Sequence, residues 1–127
     1  MNKQWIVPGI IVLIVGGLVI FIASTVFSSV EDVASREHRI VIPEGTGDQI
    51  EQGEDPGVIP ATIELTLGEK DILVIENQDI VGHRIGDFWV GAGETLRQEF
   101  KTEAIYQGEC TVHESAQIEI IVSKKDS

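Results

Sequence analysis

A chain of 127 residues is long enough for one folded domain with a tether, and too short for two full domains. Its 21 acids against 9 bases leave a net charge of −12, which argues against nucleic acid as a partner because phosphate contacts need Lys and Arg. No acid precedes Glu31, so residues 28–127 carry all 21 acids against eight bases, a net of −13, and would be steered toward basic partners with on-rates that salt weakens.

Trp5 to Phe27 (WIVPGIIVLIVGGLVIFIASTVF) is uncharged over 23 residues. At 1.5 Å per residue that is roughly 35 Å of helix, enough for a hydrocarbon core of about 30 Å. The run is longer than the apolar stretch of a cleaved signal peptide. Lys3 precedes it while Glu31 and Asp32 follow, so the positive-inside rule puts residues 1–4 in the cytoplasm and the remainder on the periplasmic or extracellular side of the cell membrane. The expectation is a single-pass anchor over 5–27, then a polar stalk over 28–38 that leaves His38 solvated.

Residues 39–123 read as the folded domain and 124–127 as a tail. Arg39–Ile42 starts a short strand that Pro43 closes. Residues 44–57 (EGTGDQIEQGEDPG) are rich in Gly and acids, which predicts an acidic loop, either an excursion or a partner-binding segment. Thr62–Leu67 alternates, with Ile63, Leu65 and Leu67 on one face, and short runs between turn signals give further strands at Asp71–Glu76, Phe88–Val90, Thr95–Phe100, Ala104–Cys110 and Ile118–Val122. Phe88 and Trp89 are expected in the core, with room for one of them to be partly exposed, rather than as an electron relay or docking patch. Short strands with turns between them predict an all-β antiparallel, Greek-key sandwich or barrel behind a single transmembrane helix.

The chemistry gathers at two places. Cys110 is the only cysteine, so no disulfide can form within the chain, and an exported domain that keeps one thiol needs something to occupy it. Cys110-Thr111-Val112-His113 sets a thiol and an imidazole three residues apart at a strand end, and His83 lies 27 residues upstream. A His₂Cys set suits a trigonal copper site that transfers electrons. On spacing alone His83 reads as a satisfied core or surface histidine; the lone thiol favours metal for Cys110. Glu109 and Glu114 flank these residues, with solvated roles expected.

Val58-Ile59-Pro60, Ile63-Glu64-Leu65, Gly68, Ile72-Leu73-Val74, Asn77, Asp79 and His83 resemble the first half of a plastocyanin-type cupredoxin. Gly91-Ala92-Gly93-Glu94, Phe100 and Tyr106 to His113 resemble its second half, so the match spans about residues 39–122. Tyr106 to Cys110 is also similar to the copper loop of cytochrome oxidase subunit II, whose binuclear centre needs a second cysteine that this chain lacks. The resemblance implies one mononuclear copper held by His83, Cys110 and His113. Its usual axial Met is excluded, because the only methionine is Met1; Gln117 and the carbonyl of Gly82 are the axial candidates. Arg84 replaces the customary Asn, and is read either as a charge that raises the potential or as a surface partner of Asp87.

The function so implied is a membrane-anchored carrier of single electrons, not an enzyme, serving a cytochrome or a respiratory or photosynthetic membrane complex. The alternative is a non-redox accessory subunit of a membrane complex that retains the fold without using copper.

Overall fold

The computed structural model describes residues 31–113 and 115–126. The chain divides into two compact units, Met1–Ser35 and Arg36–Ser127. The membrane helix expected over 5–27 lies outside the described residues; among those described, no helix is long and apolar enough to cross a membrane. Residues 31–35 are helical, and the strand expected from Arg39 begins at Glu37, so the stalk is more ordered than its polarity suggested. His38 is therefore half-buried within a strand, opposite Leu73, instead of solvated.

Eight strands follow in chain order: β1 (Glu37–Ile42), β2 (Thr62–Thr66), β3 (Ile72–Asn77), β4 (His83–Ile85), β5 (Phe88–Val90), β6 (Thr95–Glu99), β7 (Ala104–Glu109) and β8 (Gln117–Ser123). They form two three-stranded sheets, β1-β3-β6 and β2-β8-β7, with the β4–β5 hairpin as a third, two-stranded sheet. Alternation sets the faces of β2 and β8. Ile63 and Leu65 of β2 and Ile118, Ile120 and Val122 of β8 turn inward, meeting Ile40, Ile42, Leu73 and Ile75 of the other sheet in one core. Burial of these aliphatic side chains is the main stabilising term, about 1.5–3 kcal/mol for each.

The sandwich is mixed, not antiparallel as expected. β1 runs parallel to β3 and β2 parallel to β8, while β3–β6 and β7–β8 are antiparallel. Chain neighbours β1 and β2 go to opposite sheets, so each finds a partner later in the chain, running the same way. A period of two places side chains on faces and says nothing about the direction of the neighbour.

The outer face of β1-β3-β6 buries Ile72 and Val74 as well. Arg39 and Arg97 flank Val74 in register, and their ion pairs with Glu37 and Glu76 hold the stems flat across the sheet. At the start of β3, Asp71 accepts a fork of two 2.9 Å hydrogen bonds from Arg36 and one of 2.7 Å from the Gly68 amide.

The acidic segment 44–57 is not all loop. Thr46–Glu51 forms a single short helix, α1, entered through Gly45 in the left-handed region at φ 86°. At the same end of the sandwich, the tip of the β4–β5 hairpin lies against β7. A Cβ at Gly108 would stand 2.9 Å from the Gly86 backbone, so only glycine lets the two chains close.

Candidate metal centre

β3 ends at Asn77, which is 1% exposed and organises the turn after it. Its side-chain amide donates to the carbonyls of Val81, Val90 and Gly91, and its carbonyl accepts the Asp79 amide at 3.0 Å. The chain is thereby bent so that Asp79 points inward and β4 starts at His83. Both side chains are almost fully buried, and His83 Nε2 lies 2.8 Å from Asp79 Oδ2.

Asp79 also accepts from the amides of Gly45, Gly47 and Ile80. Burial pushes its carboxyl up, but the His83 bond and the three amides outweigh that and hold the pKa at about 2. An ionised carboxylate only accepts, so His83 must donate through Nε2, and in the neutral ring the lone pair falls on Nδ1. That nitrogen faces Thr111 Oγ1 at 3.4 Å.

The strand bearing His83 is zipped to the end of β7. The Gly86 amide donates to the Glu109 carbonyl at 2.7 Å, the Thr111 amide to the Arg84 carbonyl at 2.9 Å, and Ile85 bridges Cys110. His83 and Ile85 share a strand face, so His83 and Cys110 both face the interior across this junction. Arg84 contributes through its backbone amide, which donates to Thr111 Oγ1 at 3.0 Å. Its side chain is exposed and, among the described residues, makes no ion pair with Asp87.

Cys110 is 1% exposed and unpaired. Burial raises its thiol pKa, against a smaller lowering by the Val112 amide. The following loop closes tightly, with the Cys110 amide on the Ala116 carbonyl and the Ala116 amide on the His113 carbonyl. It turns through Ala116 at φ 54°, a left-handed conformation that is uncommon for a residue with a Cβ. His113 is half-buried, with Nδ1 held by Ser115, 2.8 Å from its hydroxyl and 3.1 Å from its amide.

Cys110 and His113 line one cavity of about 390 Å³ with Ile50, Pro56 and Ala116, so the acidic segment walls the site. His83 is not in that lining; it sits on the other side of Thr111. Among the described residues no three His, Cys, Asp or Glu side chains converge on one point that could hold an ion. Gln117 is exposed while its neighbour Ile118 is buried, and it lines a separate hollow with Ser115 and Ala61. Gly82 lies under the Trp89 indole. Glu109 is exposed, and Glu114 is outside the described residues.

Of the two aromatics expected in the core, Trp89 is the exposed one, at 59%, while Phe88 packs inward against Phe100 and Tyr106. Asn77 and Asp79 entered the sequence reading only as part of the resemblance, without a role at the site, and Thr111 was given none. The available signal was three polar side chains, Asn77, Gln78 and Asp79, directly after an apolar strand and shortly before a histidine.

No protein-family profile matches the chain, and no curated protein matches it. Among solved structures it is similar to a chain described as a novel purple cupredoxin from Nitrosopumilus maritimus, at 19% identity and a TM-score of 0.43, covering 67% of this chain and 98% of that one. A likeness of that extent leaves the family of the chain open.

Proposed function

We propose that the chain is an electron-transfer protein carrying one copper ion on His83, Cys110 and His113, anchored by residues 5–27 with its folded domain on the outer side of the cell membrane. The observation that carries this reading is the buried Asp79–His83 pair: the carboxylate holds Nε2–H, and Nδ1 is turned toward the strand that bears the only thiol. Metal-ligating histidines commonly give their other N–H to a carboxylate in this way. A thiolate with two imidazoles is a soft, nitrogen-rich donor set suited to copper. Copper bound there would supply a one-electron redox couple; the chain holds the Nε2–H of His83 and buries the thiol.

Loading removes a proton from Cys110, whose thiol is held protonated by burial, so copper uptake favours higher pH. Gln117 faces another hollow, which favours the Gly82 carbonyl as the axial candidate. The partners we infer are a cytochrome or a respiratory or photosynthetic membrane complex reached from the same membrane surface, where a tether raises local concentration.

One observation favours the second reading, an accessory subunit that keeps the fold without copper: the three donors do not meet at a point among the described residues. Visible absorption and EPR of the full chain in detergent, loaded with Cu(II), decide between the two. The carrier reading expects an intense thiolate-to-copper band that Cys110→Ser abolishes and His83→Gln alters. Copper that fails to bind, or binds without a band dependent on Cys110, leaves the accessory subunit.

A further inference from the structure

The end of the sandwich that carries His83 also presents an apolar patch that the site itself does not use. Ile80 is 74% exposed, Val81 44% and Trp89 59%. Glycine lets two of them settle against the backbone. A Cβ on Gly82 would fall 2.3 Å from the Trp89 ring, and one on Gly47 would fall 2.7 Å from Val81. The indole therefore lies against the peptide that enters His83, and the turn 80–82 lies against α1. Exposing a Trp and two branched aliphatics side by side is unfavourable for a monomer in water and marks a contact surface.

Charge says what it contacts. The strand registers put Ile42, Asn77, Thr95, Glu109 and Gln117 at this end, and Glu37, Glu99, Ala104 and Ser123 at the opposite one. Lys70, Lys101, Lys124 and Lys125 lie at or beyond the opposite end, while Arg39 and Arg97 lie along the outer face of β1-β3-β6. Arg84 is the one base at the patch end among the described residues, opposite Trp89 in register. Exposed acids border the patch: Glu44 and Asp48 within one residue of the Gly45 and Gly47 amides that grip Asp79, Asp87 two residues from Trp89, and Glu94 bonded to the Gly91 amide.

We propose that Ile80, Val81 and Trp89 form a docking surface for a protein whose own apolar patch is ringed by lysine and arginine. The acids steer the encounter and the apolar centre holds it, the arrangement of a fast, weak and salt-sensitive complex. Docking stands on the geometry of the domain alone. Only its use for passing electrons, through an indole lying on the peptide before His83, rests on the copper reading.

The test is an NMR titration of the ¹⁵N-labelled, copper-free full chain in a non-ionic detergent. The probe is a lysine-rich cytochrome c with zinc replacing iron, so neither copper nor electron transfer enters the readout. Shifts should centre on residues 80–82 and 89 and vanish at high salt. Trp89→Ala and Ile80→Ser should each weaken binding about tenfold, as truncating an interface anchor does. The second variant guards against loss of folding, because Ile80 is almost wholly in solvent. Glu44→Gln with Asp48→Asn should flatten the salt dependence, and Arg84→Gln should tighten binding. Ile105→Ser, which removes an equally exposed side chain from β7, should change nothing. Absence of binding, equal weakening by Ile105→Ser, or patch shifts produced by the chain's own concentration or by neutral vesicles alone would each overturn the proposal.

Discussion

The two ends of β3 each carry a buried aspartate, and the two are used differently. Asp71, at the start, is met by the Arg36 guanidinium and the Gly68 amide. Asp79, two residues past the end, is met by the His83 imidazole and three amides. Both carboxyls are held below the ordinary value, Asp79 to about 2. A guanidinium is a permanent cation with no lone pair to offer, so the Asp71 pair can only fasten the sheet to the chain that enters it. An imidazole fixed at one nitrogen still presents the other. The same carboxylate chemistry makes a clasp at one end of the strand and an oriented donor at the other.

Substitution should separate the two, and the largest effect belongs to Asp79. Asp79→Ala leaves the buried His83 N–H and the amides of Gly45, Gly47 and Ile80 without an acceptor, at a cost of about 3 kcal/mol in denaturant unfolding. Amide exchange should accelerate over α1 and residues 80–83 before the rest of the domain, and the absorption of the copper-loaded chain should shift. Asp71→Ala should cost only about 1 kcal/mol, because Arg36 is partly exposed and can turn to water or to Glu99. It should leave the copper spectrum as it was. Equal costs, or equal spectral effects, would make the two ends equivalent and remove the special tie between Asp79 and the site.

The smallest effect at neutral pH is one of slope. A carboxyl at about 2 when folded, against the ordinary 3.8, contributes stability that is fully present above about pH 4 and is lost as pH falls toward 2. His38, lowered by burial and then by Lys70, adds a shallower loss as pH falls below 6.5. Denaturant midpoints measured from pH 7 to pH 2 should show both limbs. Asp79→Asn should flatten the lower limb alone, and His38→Gln the upper.

Much of the sandwich was legible in the residues. The strand at Thr62 follows from alternation, because a half-buried strand must place every second side chain inward, and those at Ile72, Thr95, Ala104 and Ile118 from short β-prone runs between turn residues. The lone thiol at a strand end and the acidic excess are compositional and needed no fold to be seen. Phe88 and Trp89 were readable only as apolar; which of them is covered depends on Phe100 and Tyr106, which lie 12 and 18 positions further along the chain.

What the sequence determined by itself, then, is local: where strands run, where they stop, and which residue types stand at their ends. Tertiary structure decided the parallel pairing of β1 with β3 and of β2 with β8, the coiling of residues 46–51 into α1, and the choice of Asp79 as the partner of His83. Each of these rests on hydrogen bonds between groups tens of residues apart, such as the Gly45 and Gly47 amides on Asp79, 34 and 32 positions away. A backbone amide or carbonyl is the same group at nearly every residue, so its distant partner is set by how the chain packs, and the local pattern carries no mark of it.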